Sequence, residues 1–265
     1  MTEKTSHREL ELLDAMRRSG GFARNSELAL ALDVSEETVR RTIKSLSKAG
    51  SVARVHGGAY LVGAQTDPSF YRRIAQHADE KRRVARAVLR SISDGMTLFL
   101  DVASTTAFVA EELRVRHHLT VATNSVGVAQ VLVGHNNNRV FLLGGEMHSN
   151  ERGAFGFVTE QQARRYCYDV SVLSADALNA KPGFLFANAA EADLAAVVSD
   201  NSALTLVAMD HTKFNQTAPH RGFEPGCVDI LVSDAPPDTK LAQKLNEWGV
   251  RVDVLNEEKH HVAAQ

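Results

Sequence analysis

The stretch "DVASTT" (Asp101–Thr106) holds the densest set of chemically capable groups in this chain. It falls between an apolar run, "TLFL", and the helix-patterned "AFVAEEL". The carboxylate of Asp101 is followed, after Val102 and Ala103, by three hydroxyls in a row, Ser104, Thr105 and Thr106. At the head of a helix the first backbone N–H groups lack partners within the helix, and the helix dipole favours an anion. The hydroxyls add donors, so the loop suits a phosphate or another small anion. Four more apolar runs end in a comparable way. Asn124 and Ser125 follow "LTVAT". Gly144, Gly145 and Glu146 follow "RVFLL". Asp176 follows "VSVLSA", and Asp210 with Lys213 follows "ALTLVAM". Each cluster alone is ordinary turn and cap chemistry. Five of them at one edge of a sheet point to a small polar ligand, most naturally a phosphorylated one.

A second chemistry lies near the N-terminus. In "SEETVRRTIKSLSKAG", Ser35 suits an N-cap, Glu36 and Glu37 favour the positive helix end, and Gly50 stops the helix. Val39, Ile43 and Leu46 form one apolar stripe. The other side carries Glu37, Thr38, Arg41, Lys44, Ser45 and Lys48, with Arg40 on its flank. Such a face suits a major groove, because cations neutralise phosphates while Arg and Thr reach base edges. From Ser35 to His56 five cations stand against two acids, in a chain of net charge −2.

The elements that must position these groups can be read from hydropathy patterning. Residues 1–63 predict two helices, "SHRELELLDAMRRSG" and "NSELALALD", before the basic one, with Leu10, Leu13, Met16, Leu28 and Leu32 facing inward. The short "DVS" turn before the basic helix matches a helix-turn-helix. "SVARVHGGAYLV" then predicts a hairpin around Gly57–Gly58, a wing whose Arg54 and His56 would touch the DNA backbone. Residues 64–93 predict a linker broken at Pro68 and a connecting basic helix. In that helix Arg72, Arg73, Lys81, Arg82, Arg83, Arg86 and Arg90 face only Asp79 and Glu80. Residues 94–265 alternate seven apolar runs, ending with "VDILVS" and "VRVDVL", with helical segments. That pattern predicts a mainly parallel sheet covered on both faces, with ligands beyond the carboxyl ends of its strands. The expected architecture is therefore α/β: an N-terminal winged helix-turn-helix domain and a larger C-terminal α/β domain.

Composition narrows the function classes. The 44% hydrophobic and 23% charged content is ordinary for a soluble globular protein, and 265 residues suffice for two domains or one large one. The small net charge gives no global pull toward nucleic acid, so any basic surface must be local. There is no apolar run of membrane-spanning or signal-peptide length, which predicts a cytoplasmic protein with no membrane partner. Cys167 and Cys227 are expected as reduced thiols. The adjacent pairs His117–His118 and His260–His261 point apart on a strand, so no metal site is expected. No Walker-type or G-x-S-x-G loop occurs, and no cofactor is expected.

The run "VSEETVRRTIKSLSKAGSVARVHGGAYL" resembles the N-terminal module of the DeoR family of bacterial transcriptional regulators. "LDVASTTAFVAEEL", "LTVATNSVGVA", "VFLLGGEMH", "GAFGFVTEQQ" and "AMDHTKFNQTA" resemble the DeoR-type effector domain in order and spacing. The likeness covers roughly residues 6–255. It implies that Ser35, Thr38, Arg40 and Arg41 lie near an operator duplex, and that the C-terminal domain resembles ribose-5-phosphate isomerases and senses a phosphorylated sugar. Thr42 stands where the family commonly has Asp, and Ala103 where its phosphate loop usually has Gly. The isomerases use a D-G-A-D turn, a lysine and a downstream Glu. On that pattern Asp176, Lys181 and Glu191 match, whereas the first Asp falls on Leu173 and the Gly on Ser174. Leucine cannot move a proton, so the resemblance implies binding of sugar hydroxyls without turnover. The alternative is an isomerase-like enzyme with an appended DNA-binding domain. One small winged module reads a short half-site, so a homodimer or homotetramer is expected.

Overall fold

The computed structural model describes residues 6–18, 22–55, 57–61, 70, 73–74, 76–149 and 151–255. The chain divides into two compact units, residues 1–78 with 149–151, and residues 79–148 with 152–265.

In the first unit, α1 (His7–Arg18), β1 (Phe22–Arg24), α2 (Asn25–Ala31) and α3 (Glu36–Lys48) lead into the antiparallel hairpin β2 (Val52–Val55) and β3 (Gly58–Leu61). The strand order is β1-β3-β2, so the hairpin gains a third strand that the sequence pattern does not reveal. Leu12, Leu13, Met16, Leu28, Val39, Ile43, Leu46 and Val52 make the core. The expected apolar stripe of α3 is therefore the buried one. In α1 the buried stripe is Leu12, Leu13 and Met16, which leaves Leu10 at its margin and 48% exposed. Gly58 allows β3 to approach β1, since a Cβ there would meet Ala23 O at 2.5 Å. His56 lies outside the described residues.

Ser35 caps α3: its backbone is extended (φ −70°, ψ 150°) and Oγ accepts the Thr38 amide at 3.2 Å. Ser35→Ala removes that acceptor and should lower unfolding free energy by about 0.5–2 kcal/mol. Urea titration of the full chain checks this; an unchanged midpoint would contradict the assigned cap.

The second unit is built on seven parallel strands: β4 (Thr97–Leu100), β5 (Thr120–Thr123), β6 (Arg139–Leu142), β9 (Val170–Leu173), β12 (Thr205–Ala208), β14 (Ile230–Ser233) and β15 (Arg251–Val254). They are the seven apolar runs of the sequence, and continuous burial of the central ones explains why no polar alternation marks them. The helices α5 (Ser104–Glu112), α6 (Val126–Leu132), α7 (Phe157–Ala163), α8 (Ala189–Asp200) and α9 (Thr239–Glu247) alternate with them. Two additions are antiparallel: the hairpin β7 (Glu146–His148) with β8 (Gly153–Phe155), and a sheet of β10 (Ala177–Asn179), β11 (Gly183–Phe186) and β13 (His220–Arg221).

The main sheet runs β15-β14-β12-β9-β4-β5-β6. From β4 the chain first builds outward through β5 and β6, then returns to add β9, β12, β14 and β15 on the other side. The carboxyl ends of β4 and β9 therefore flank the point where strand order reverses, which is where open α/β sheets leave a ligand crevice.

The connecting helix α4 (Ala78–Val88) buries Val84, Ala85, Ala87 and Val88. Its arginines are paired by carboxylates from distant parts of the chain as well as by near neighbours. Arg82 meets Asp79 at 2.7 Å, Arg83 meets Asp234 at 3.5 Å and Arg86 meets Glu112 at 3.5 Å. Arg90, just beyond the helix, meets Asp253 at 3.4 Å.

Candidate functional site

Two groups of side chains are candidates, one in each unit. On α3 the buried stripe fixes the phase of the helix, so Glu37, Arg41, Lys44 and Lys48 stand exposed on the opposite side. The side chains of Arg41, Lys44, Lys48 and Arg54 have no hydrogen bond or ion pair among the described residues, and all four residues are exposed. Arg40 differs, with its guanidinium 3.1 Å from Glu36 and 3.6 Å from Glu37. Ser35 and Thr38 share the cap, their hydroxyls 2.9 Å apart. Ser45 Oγ donates to Glu9 Oε1 of α1 at 2.6 Å, and that bond, with those from Ser6, holds the Glu9 carboxyl below its usual range. Of the residues expected on the groove face, the free cations are thus Arg41, Lys44 and Lys48. Thr38, Ser45 and Arg40 are engaged within the domain.

In the second unit the switch point is organised by Asp101, directly after β4. The residue keeps some exposed surface, but its carboxyl is enclosed. Oδ1 accepts from the Ala103 amide at 3.0 Å and from Thr106 Oγ1 at 2.7 Å, and Oδ2 accepts from the Ser174 amide at 2.6 Å. Burial pushes the carboxyl up to about 6, against the opposing pull of those hydrogen bonds and of Lys213. Asp101 thereby ties the end of β4 to the end of β9. Lys213 reaches the same place from beyond β12, donating to Ala175 O at 2.7 Å and standing 3.3 Å from Ser174 Oγ. Asp210, 1% exposed, opens the turn that carries Lys213, accepting the Thr212 amide at 3.2 Å.

The hydroxyl loop faces largely inward. Ser104, Thr105 and Thr106 are all buried. The Thr106 hydroxyl is held by Asp101 and Ala103. Ala103 is the N-cap of α5, with φ −73° and ψ 159°, and no side chain caps that helix. An alanine adopts this extended conformation freely, so the departure from glycine leaves the loop unstrained. The bulk of Val102 is taken up at Gly153, where a Cβ would fall 2.8 Å from Val102 Cγ2. Two buried polar atoms here, Thr105 Oγ1 and Asn124 Oδ1, have no partner among the described residues. Asn124 Nδ2 donates to Ala154 O at 3.1 Å, and Ser125 caps α6.

The other expected residues make contacts of their own. Gly144 N donates to Gln162 Oε1 at 2.8 Å, and Gly144 O accepts from Thr159 Oγ1 at 2.7 Å. Gly145 has φ +148°, and a Cβ there would collide with Thr159 Oγ1 and lie 2.6 Å from Phe155 O, so glycine is required. Glu146 is exposed on β7. Asp176 Oδ2 accepts the Ala187 amide at 2.7 Å. Lys181 is exposed in the turn between β10 and β11, and Glu191 lies in the first turn of α8.

Two contributions escape the sequence reading. Ser174 supplies both an amide to Asp101 and a hydroxyl near Lys213. Asp234 follows β14, its side chain 1% exposed, and accepts the His211 amide at 2.8 Å while facing His211 Nδ1 at 2.8 Å and Arg83 at 3.5 Å. Burial alone would raise its carboxyl, but the His211 amide and ring hold it below the usual range. Extending the rule of polar groups at strand ends to β14 would have found it. Cys167 and Cys227 are free and exposed. No group of three or more His, Cys, Asp or Glu among the described residues is placed to hold a metal ion. No helix among them is long and apolar enough to cross a membrane.

Comparison with known proteins agrees with both halves. Residues 8–65 match the DeoR-like helix-turn-helix domain, and residues 76–235 match the DeoR C terminal sensor domain. The glycerol-3-phosphate regulon repressor of Escherichia coli (strain K12) is 28% identical over 251 residues, 95% of this chain and 99% of that protein. The HTH-type transcriptional repressor CsqR of the same organism is 30% identical over 258 residues, covering 97% of this chain and 98% of its own. Among solved structures, a ribose 5-phosphate isomerase A from Methanocaldococcus jannaschii aligns with a TM-score of 0.40 at 17% identity, over 52% of this chain and 55% of that one. The chain belongs to the DeoR family and is a DNA-binding transcriptional regulator with a C-terminal sensor domain.

Proposed function

We propose that the chain is a cytoplasmic repressor of carbohydrate-metabolism genes, acting as a homo-oligomer and released from its operator by a phosphorylated sugar or related metabolite. The observation that carries this reading is the N-terminus of α5, without a side-chain cap, at the switch point of the sheet, in the same chain as three cations on α3 that have no side-chain partner among the described residues. An anion there meets unpaired backbone N–H groups and the positive end of the helix dipole. Asp210 and Lys213 supply polar groups at the neighbouring strand end, and Asp176, Lys181 and Glu191 are candidates for the sugar hydroxyls. Repression follows the relatives, since both of those described above are named as repressors. Ligand control requires that the ligand bind the DNA-free arrangement better than the DNA-bound one.

Binding without conversion is supported by the groups available. Leu173, at the end of β9, stands where the isomerase pattern has a carboxylate and is 1% exposed. Asp101 accepts three hydrogen bonds from its own domain, and Lys213 is held on Ala175 O. Neither is left free to shuttle a proton.

Thermal melting of the full chain against a panel of sugar phosphates, the parent sugars and inorganic phosphate tests the reading. At a hundredfold excess over Kd a true effector adds about 2.7 kcal/mol of stability, which should raise Tm by several degrees for a phosphorylated compound alone. A shift produced only by unphosphorylated sugars would contradict the anion site.

A further inference from the structure

We propose that α7 is the self-association face of this regulator, packing antiparallel against α7 of a second copy across a two-fold axis at Gln161. The proposal rests on the homo-oligomeric reading above and names its surface.

The helix is amphipathic in an unusual order. Thr159 and Ala163 are buried against the body. The outward stripe is Phe157, Val158, Gln161, Arg164 and Arg165, the last two just past the helix end. Phe157 is 75% exposed and Val158 53%, both large apolar side chains left open to solvent. Arg164 and Arg165 are exposed, and their side chains have no ion pair among the described residues. The stripe is therefore apolar at one end, basic at the other and an amide in the middle.

Such a stripe complements itself when reversed. With the axis at Gln161, Phe157 faces Arg165 of the second copy and Val158 faces Arg164 of the second copy. A guanidinium over an aromatic ring is attractive, and the arginine stems cover apolar surface. Gln161 faces its own equivalent, and a primary amide holds both a donor and an acceptor, so it can bond to its own image. The four arginines fall at opposite ends of the contact, away from each other's partners. The same region offers more apolar surface. Leu142, at the end of the sheet's edge strand β6, is 50% exposed and Met147 on β7 is 53% exposed. Gly144, between them in sequence, is bonded to Gln162 and Thr159 of α7. A large exposed apolar patch rimmed by charge marks an association site, and an isologous contact needs the self-complementarity shown here.

Sedimentation of the full chain at operator-binding concentration, with a charge exchange across the axis, tests this. Phe157→Arg places a cation against Arg165 of the second copy and should halve the sedimenting mass. The double variant Phe157→Arg with Arg165→Glu puts opposite charges together and should restore the wild-type mass. Both positions are exposed, so folding is expected to survive, and an unchanged far-ultraviolet circular dichroism spectrum verifies it. If the wild type self-associates and Phe157→Arg keeps its mass, or the double variant fails to recover it, the face is wrong while the oligomeric reading stands. If the wild type is monomeric, both readings fall.

Discussion

Replacing Arg41, Lys44 and Lys48 together by alanine should lower operator affinity by about a hundredfold or more, with effector binding unchanged. Arg41 alone accounts for roughly 1–3 kcal/mol if its guanidinium makes a bidentate base contact. Each lysine that neutralises a phosphate contributes about 0.9 to the slope of log affinity against log salt, so that slope should fall by roughly 2. All three stand on the side of α3 opposite Val39, Ile43 and Leu46 with no side-chain partner among the described residues. Arg40→Ala should cost much less, since Arg40 is already neutralised by Glu36 and Glu37. Fluorescence anisotropy with a labelled operator at several salt concentrations measures all of this. Equal losses at Arg40 and Arg41 would show that the groove face is turned from the one assigned.

Asp101→Ala is the second large effect expected. It removes the acceptor for the amides of Ala103 and Ser174 and for the Thr106 hydroxyl. An orphaned buried donor costs about 1–3 kcal/mol, so a loss of about 2–4 kcal/mol of stability is expected. Effector response should vanish as well, because the same carboxyl fixes the N-terminus of α5 against the end of β9. The loss depends on pH. The folded carboxyl titrates at about 6, above its ordinary value of 3.8, so between those values the folded state binds the proton more tightly than the unfolded one. Stability from this group is full below about pH 4 and is lost as pH rises through about 6. The wild-type advantage over Asp101→Ala should therefore be about 1–2 kcal/mol larger at about pH 5 than at about pH 7.5. Denaturant titrations of both proteins at the two pH values provide the measurement. An advantage that grows with pH would mean the carboxyl is stabilised in its charged form, and the burial argument would fail.

Much of this molecule is legible in its sequence, for identifiable physical reasons. Fully covered parallel strands must be apolar throughout, so "VSVL" and "ILVS" announce themselves as β9 and β14. Ser35 is legible as a cap because its hydroxyl acts on a neighbour three residues away, Thr38. What is not legible depends on partners distant in the chain. The strand order that puts β9 beside β4 is a tertiary fact. So is the pairing of Arg83 with Asp234, 151 residues away, which turns an apparently free basic helix into a packed one. The short strands β1, β7, β10 and β13 carry two or three residues each, too few for an alternation to show. At the site, residue types were readable but their directions were not. Helical phase turns Thr105 and Thr106 inward, and the Thr106 hydroxyl is held by Asp101. Gly145 after β6 is required by its packing against Thr159 of α7 and Phe155 of β8, a need that the residue type alone does not separate from approach to a ligand.

The central claim is that one end of the chain grips a duplex and the other recognises a phosphorylated metabolite without converting it. Its most direct test is anisotropy of the full chain on a duplex from its own promoter, titrated with sugar phosphates while phosphorus NMR follows each compound in the same tube. The account predicts that one phosphorylated compound releases the duplex and remains chemically unchanged. Release accompanied by steady conversion of that compound to an isomer would contradict it.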